Sequence, residues 1–266
     1  MVSESRPTDE PALRLPGLTP TAPYTSRLSA RSALYTELRL LLDARDHALS
    51  SGEYRSLVVE ENCLARGSVS ARKKLWKELR GRYRLDAADP LFAAFWREWR
   101  QSEAEPERDM TAYVLFALND RLVTDLGTEW LFPLLRRAPA EVRVGDVRAY
   151  LGRVRQHPEV ARWSEETTLA VAQKYCASIR DFGMARGTIR KVSVRPALYG
   201  SPVRLLVRAL RMVGTSPLAL VQAPIFRLLG VDTTEVVDAL GELNRTGALL
   251  FRMQGDVVEL DLPEAA

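Results

Sequence analysis

The stretch that decides the fold of this chain is GEYRSLVVEENCLARGSVSARKKLWKELRGRYRL, residues 52–85. Its apolar residues recur at helical spacing in two runs, which predicts two helices joined by a tight turn. Gly67 suits the position just past the first helix, and Ser68 or Ser70 can cap the second. The apolar stripe of the first helix is Tyr54, Leu57, Val58, Leu64 and Ala65, and that of the second is Leu75, Trp76, Leu79 and Tyr83.

The second predicted helix is strongly basic. From Arg66 to Arg84 there are eight basic residues and one acid, Glu78. A helix, a turn and a second helix with an apolar face and a cationic flank form the layout of a nucleic-acid-binding helix-turn-helix. An ordinary solvated helix is the alternative, because charge runs usually face water. The residues predicted to contact DNA here are Arg72, Lys73, Lys77, Arg80 and Arg84.

A second basic run lies far along the chain. Residues 186–211 contain seven cations and no acid, although the whole chain of 266 residues has a net charge of only +4 and a pI of about 9.2. The remainder is therefore net acidic. Two separated basic patches on a nearly neutral chain predict surfaces that face a polyanion.

The sequence offers little material for catalysis, metal binding or membrane insertion. It contains no phosphate-binding loop, dinucleotide fingerprint, zinc-protease motif or nucleophile elbow, and only two histidines, His47 and His157. Cys63 and Cys176, both expected on inward helical positions, belong to no ligand cluster. No apolar run is long enough to span a bilayer, and we expect no signal peptide because the first residues contain no apolar run. We therefore expect a reduced, cytoplasmic binding protein without cofactor or metal, and not an enzyme.

The chain divides into four predicted segments. Residues 1–23 are rich in proline and predict a flexible tail. Residues 24–132 predict a helical domain that includes a helix from Ser29 to Asp46. Within it, the aromatic residues at helical spacing could stack on bases but are much more often core; they are Phe92, Phe95, Trp96 and Trp99.

Residues 133–200 and 201–266 each predict helices followed by a short β-hairpin, the order of a winged helix. In the first unit, Val144 begins a helix, Ser164 caps a second, and a hairpin turns at Gly187. In the second unit, Asp232 and Glu235 form a capping-box pair and Gln254–Asp256 forms the hairpin turn. The predicted fold class is mainly α: a helix-turn-helix domain followed by winged-helix-like units with short β-hairpins.

Charge distinguishes the two units. The first hairpin carries Arg186, Arg190, Lys191 and Arg195 and no acid, so we expect these four residues to contact DNA. The second unit presents acids that a phosphate backbone would repel, and it is expected to bind a neighbouring unit or a protein. Those acids are Glu235, Asp238, Glu242, Asp256, Glu259 and Asp261.

Three stretches resemble the BrxA family of bacteriophage exclusion (BREX) phage-defence systems. They are YTSRLSARSALYTELRLLL, SGEYRSLVVEENCLARGSVSARKKLWKELRGRYRL and RWSEETTLAVAQKYCASIRDFGMARGTIRKVSVRPAL, so the resemblance covers most of residues 24–200. It implies an α-helical, DNA-binding accessory factor that works with other BREX proteins, including a DNA methyltransferase. The family is also similar to the NusB-type RNA-binding antitermination fold.

Three functional hypotheses follow. The first is a non-catalytic duplex-DNA-binding accessory subunit of a BREX system, with largely sequence-independent binding. The second is a scaffold whose basic faces meet acidic protein partners, and the third is RNA binding of the NusB kind. The salt dependence of DNA affinity separates the first from the second, and competition by structured RNA separates the first from the third.

Overall fold

The computed structural model describes residues 14–263, and α-helices make up most of that range. In the first half the helices are α1 (Arg27–Ala30), α2 (Tyr35–Asp43), α3 (Ser51–Val59), α4 (Val69–Tyr83), α5 (Pro90–Gln101), α6 (Glu105–Leu118), α7 (Arg121–Asp125) and α8 (Phe132–Arg136). A 3₁₀ turn, Pro16–Leu18, precedes α1, and a π-helical turn, Leu126–Leu131, joins α7 to α8.

The second half contains six further helices and five short strands in the described range. The helices are α9 (Val144–Arg153), α10 (Pro158–Ala161), α11 (Glu165–Asp181), α12 (Gly200–Met212), α13 (Pro217–Val221) and α14 (Thr233–Arg245). The strands are β1 (Glu141–Val142), β2 (Ala185–Arg186), β3 (Lys191–Ser193), β4 (Leu250–Gln254) and β5 (Val257–Asp261). 3₁₀ turns lie at Val154–Gln156 and Pro224–Leu229. The predicted mainly α fold with short antiparallel hairpins is confirmed.

The centre of the molecule is α6, in which every side chain from Met110 to Leu118 is buried. On one side it packs against α5, whose Phe92, Phe95 and Trp99 are almost completely buried, so this aromatic stripe is core. From the other half of the chain, α12 packs against both α5 and α6. A single hydrophobic cluster therefore runs through both halves.

Residues 14–23 were predicted to belong to the flexible tail, but the structure packs them on the helical core. Leu15 is fully buried, and the turn that begins at Pro16 contacts α6 and α7. The fit is close, since a Cβ at Gly17 would lie 2.5 Å from the carbonyl oxygen of Ala117. The prediction from proline content was wrong, because burial of Leu15 and the contacts of the turn with α6 and α7 offset part of the conformational entropy lost on ordering. Residues 1–13 lie outside the described range.

The helix predicted from Ser29 to Asp46 is broken into α1 and α2. Leu34, directly before α2, has φ 58°, a left-handed conformation that a continuous helix cannot contain. Tertiary hydrogen bonds hold the break: the Ala33 N–H donates to Ser178 Oγ at 2.9 Å, and the Tyr83 hydroxyl donates to the Ala33 carbonyl at 2.6 Å. Contacts with residues far along the chain therefore override the local helical pattern.

The middle unit pairs its strands in the order β1-β3-β2, all antiparallel. β2 and β3 form the predicted hairpin after α11, and β1, which precedes α9, adds an unpredicted third strand. Ser164 caps α11 as predicted, accepting a hydrogen bond from the Thr167 N–H at 3.1 Å.

The last unit begins with α12 and continues with the short α13, after which Pro224 begins a 3₁₀ turn. Asp232 and Glu235 form the predicted capping box at the start of α14. β4 and β5 pair around the predicted turn, with Phe251 opposite Leu260 on the buried face. Across residues 14–263, no helix combines the length and the apolar character needed to cross a membrane.

Candidate nucleic-acid interface

Packing fixes the orientation of α4. Ser68 caps its start by accepting a hydrogen bond from the Ala71 N–H at 3.1 Å. The predicted apolar face is buried against the rest of the helical core, which leaves the opposite face of the helix to solvent; the buried residues are Leu75, Trp76, Leu79 and Tyr83. The interior therefore determines which side of this basic helix is outside.

The outward side of α4 is cationic and unneutralised. Lys73, Lys74, Lys77 and Arg80 are all exposed, and none has an ion-pair or side-chain hydrogen-bond partner among residues 14–263. The one acid of the helix, Glu78, is bound to Arg82 on the buried side. Lys74 was not among the predicted contacts, although it lies in the same basic run.

The four other cations of this run have structural partners. Arg66 donates from Nη2 to Glu37 Oε1 at 2.6 Å. Arg72 donates from Nη1 to the Val59 carbonyl at 2.5 Å, at the end of α3. Arg84, predicted to lie on the cationic flank, is instead the residue that ends α4, with φ 53°, and its Nη2 lies 2.6 Å from Asp89 Oδ2. Arg82 is 3% exposed and donates to the carbonyl oxygens of Arg27, Arg31, Ser32 and Glu78 and to the Glu78 carboxylate.

The turn between α3 and α4 differs from the prediction. α3 ends at Val59, well before Gly67, and the left-handed residues are Asn62 and Ala65. Cys63 therefore lies in the exposed turn rather than on an inward helical position. Cys176 is buried as expected, and burial raises its pKa to about 11, which leaves the thiol protonated at neutral pH.

The loop between β2 and β3 is the second exposed cationic site. Arg186 and Arg190 are exposed and have no side-chain partner in the described part of the chain. Between them, Ile189 is 97% exposed at the end of the loop. Gly187 is required at the turn, since its φ is 97° and a Cβ there would lie 2.0 Å from the Arg190 carbonyl oxygen. Lys191 donates from Nζ to the Thr188 carbonyl at 3.0 Å.

Arg195 is also exposed but, unlike Arg186 and Arg190, it is ion-paired. Its guanidinium binds the Glu235 carboxylate at the start of α14, and Arg136 of α8 binds the same carboxylate and that of Asp232. Burial opposes ionisation of Glu235, but its backbone hydrogen bond at Asp232 and its contact with Arg195 hold its pKa below the usual range. The acid that neutralises Arg195 thus comes from the last unit.

The sequence also contained cations near the middle unit that were not predicted. Residues 136–162 hold seven arginines and three acids, a bias that could have been recognised. Arg148 and Arg155 both bind Glu165 at the start of α11, at 3.1 and 3.2 Å. Three further arginines are exposed and have no acidic partner between residues 14 and 263: Arg137, Arg153 and Arg162.

Apart from exposed positive charge, residues 14–263 show few features that could bind a ligand or a metal. No group of three or more His, Cys, Asp or Glu residues there could hold a metal ion. The exposed lysines and arginines instead match the requirements of phosphate recognition, since ammonium and guanidinium groups donate charge-assisted hydrogen bonds to phosphate oxygens.

Comparison with family models matches the BrxA family over residues 22–208. The matched range contains α4, the loop between β2 and β3, and most of α12, and it ends before the acidic α14. Comparison with curated proteins finds no match.

Proposed function

The chain belongs to the BrxA family, which implies a role in BREX phage defence, and from this premise we propose that it is a non-catalytic, duplex-DNA-binding accessory subunit. Its protein partners would be other BREX components, including a DNA methyltransferase, and it would act in the cytoplasm. In this proposal the phosphate groups of the DNA bind positively charged side chains that lie on a helix packed in the core.

The observation that carries this proposal is the outward face of α4. Lys73, Lys74, Lys77 and Arg80 lie on one helix whose other face is fixed in the core. Each is exposed, and no acid within the described residues neutralises it. Cations placed in this way release condensed counterions when they meet phosphates, which drives binding without reading sequence. The pair α3 and α4 would act as the helix-turn-helix.

The middle unit would provide the second contact. Its strand order β1-β3-β2, with α9 and α11 preceding the hairpin, supports a winged-helix assignment. The loop carrying Arg186 and Arg190 would then be the wing. Arg195, Arg72 and Arg84 are engaged elsewhere in the fold and are not part of this proposed contact.

The decisive experiment measures duplex-DNA affinity against salt concentration. We expect a Kd of ~10⁻⁴–10⁻⁶ M at physiological salt, as for non-specific electrostatic binding. The variant Lys77→Glu with Arg80→Glu should weaken binding at low salt and flatten the slope of log K against log salt by about 2. An unchanged slope would make α4 only a solvated face.

The matched control is Arg245→Glu with Arg252→Glu, two exposed arginines of the last unit that undergo the same change in charge. This control should leave the slope unchanged, which separates a local contact from a general effect of net charge. Cleavage or methylation of the DNA by the purified protein would contradict the non-catalytic part of the proposal.

RNA binding and protein scaffolding remain the alternatives, and the same assay distinguishes them. Structured RNA that competes better than duplex DNA would favour the NusB-like function. Binding of a protein partner by the acidic last unit is supported by one feature, a groove of about 690 Å³ between residues 195–200 and α14, whose lining includes Asp238 and Glu242. Absence of salt-dependent binding to either nucleic acid would support that alternative.

A further inference from the structure

A cavity of about 420 Å³ lies between α5 and α12, close to the end of β5. Arginines form one part of its lining, Arg97, Arg208 and Arg211, with Asp261 beside them. The other part is apolar and consists of Pro90, Ala93, Ala94, Met212 and Leu262. The volume lies within the range typical of sites for small organic ligands.

Behind this cavity, two arginines share one buried carboxylate. Glu98 is completely buried and accepts hydrogen bonds from Nε of Arg204 at 2.8 Å and from Nε of Arg208 at 3.1 Å. The side chains of Arg204 and Arg208 are only 14% and 15% exposed. Two guanidinium groups with one carboxylate leave a positive charge uncompensated where water has little access, an unfavourable arrangement unless an anion is nearby.

The uncompensated charge is directed at the cavity. Arg208 uses only Nε for Glu98, and within residues 14–263 its two terminal nitrogens have no hydrogen-bond partner. The guanidinium of Arg97 likewise has no side-chain partner in that range. Arg211 contacts Asp261 at 2.6 Å. With Arg97, Arg204, Arg208 and Arg211 set against Glu98 and Asp261, the site keeps two positive charges.

We propose that this cavity binds a small phosphate-bearing ligand of mononucleotide size. The planar guanidinium groups of Arg97 and Arg208 would donate paired hydrogen bonds to phosphate oxygens, the geometry that arginine is suited to provide. The apolar wall of Ala93, Ala94 and Met212 would contact the base or another flat group. Binding would neutralise the buried excess charge, and it does not depend on the proposed contact with DNA.

The test is isothermal titration calorimetry of the full chain with ADP, inorganic phosphate and adenosine as probes. We expect ADP to bind with a Kd on the order of 0.1 mM, phosphate more weakly, and adenosine more weakly still. Arg97→Gln should weaken ADP binding by about tenfold. The matched control is Arg100→Gln, on the same helix but outside the cavity lining, which should bind ADP like the unmodified protein.

A second variant distinguishes the loss of a ligand contact from misfolding of the protein. Arg208→Gln leaves Glu98 with Arg204 as a neutral pair, so it should fold and should weaken ADP binding about tenfold, as Arg97→Gln does. ADP that fails to bind, or that binds all three variants equally, would overturn the proposal. Displacement of ADP by a duplex lacking terminal phosphates would also overturn it, because the cavity would then belong to a DNA-binding surface.

Discussion

The two basic runs carry the same net charge in the sequence, but the fold uses them differently. In residues 66–84 the four cations of the outward face of α4 remain exposed and unpaired among the described residues, while Arg66, Arg82 and Arg84 bind Glu37, Glu78 and Asp89. In residues 186–211 four of the seven cations bind acids from elsewhere in the chain: Arg195 binds Glu235, Arg204 and Arg208 bind Glu98, and Arg211 binds Asp261. The net charge of a segment therefore does not show which of its cations are free to bind a partner such as DNA.

The buried part of the second run gives the largest expected effect. Glu98→Gln removes the carboxylate that Arg204 and Arg208 share and leaves two guanidinium groups facing each other. We expect a loss of about 3–5 kcal/mol of unfolding free energy in urea denaturation, as when one partner of a buried ion pair is removed. Glu105→Gln, which removes the exposed partner of Arg39, should lose only about 0–1 kcal/mol. Equal losses would mean that burial of Glu98 is unimportant.

Within the first run, substitution of Arg82 should affect stability, whereas substitution of Arg80 should affect DNA binding. Arg82→Ala leaves several carbonyl oxygens without their donor and should lower unfolding free energy by about 2–4 kcal/mol. Arg80→Ala should change stability by about 0.5 kcal/mol at most, and it should reduce the salt slope of DNA binding by about 0.9. Denaturation and DNA titration of both variants check this. A salt slope unchanged in Arg80→Ala would remove Arg80 from the interface.

Arg190 and Arg195 provide the same contrast within the second run. Arg190→Glu should reduce the salt slope of DNA binding without altering stability. Arg195→Glu would place a second carboxylate beside that of Glu235. Because the original ion pair is partly exposed, the expected loss of unfolding free energy is only about 0.5–1 kcal/mol. The salt slope of DNA binding should not change. The opposite pattern would assign the DNA contact to Arg195, as the sequence first indicated.

The smallest expected effect concerns Ile189. Ile189→Val removes one methylene from a side chain that is 97% exposed, so the unfolding free energy should not change. If the loop lies in a groove of the duplex, the lost contact weakens binding by up to about fourfold, the value of one buried methylene. Thr188→Ser, which also removes one carbon from the same loop, is the control. Identical affinities for all three proteins would place the end of the loop in solvent.

Local signals in the sequence located the elements well. Ser68, Ser164 and the pair Asp232 and Glu235 cap the helices that they were predicted to cap. The apolar face of α4 is the predicted one. These features depend on residues a few positions apart, so the sequence alone contains them.

Features that depend on distant residues were not predictable. The break at Leu34 is held by Ser178 and Tyr83, and the pairing of Arg195 depends on Glu235, 40 residues further along. The π-helical turn at Leu126–Leu131 had no local signal that we recognised. For the candidate site, this means that the position of the basic helix could be predicted, whereas the availability of each cation could not.

The hydrophobic cluster shared by α5, α6 and α12 has a consequence for calorimetry. A chain whose segments each enclosed their own interior would absorb heat in separate steps as the temperature rises. Here residues from Leu15 to Leu262 contribute to one cluster, so melting α12 exposes apolar surface on α5 and α6 as well. We therefore expect a single endotherm whose van't Hoff and calorimetric enthalpies agree, the signature of cooperative melting.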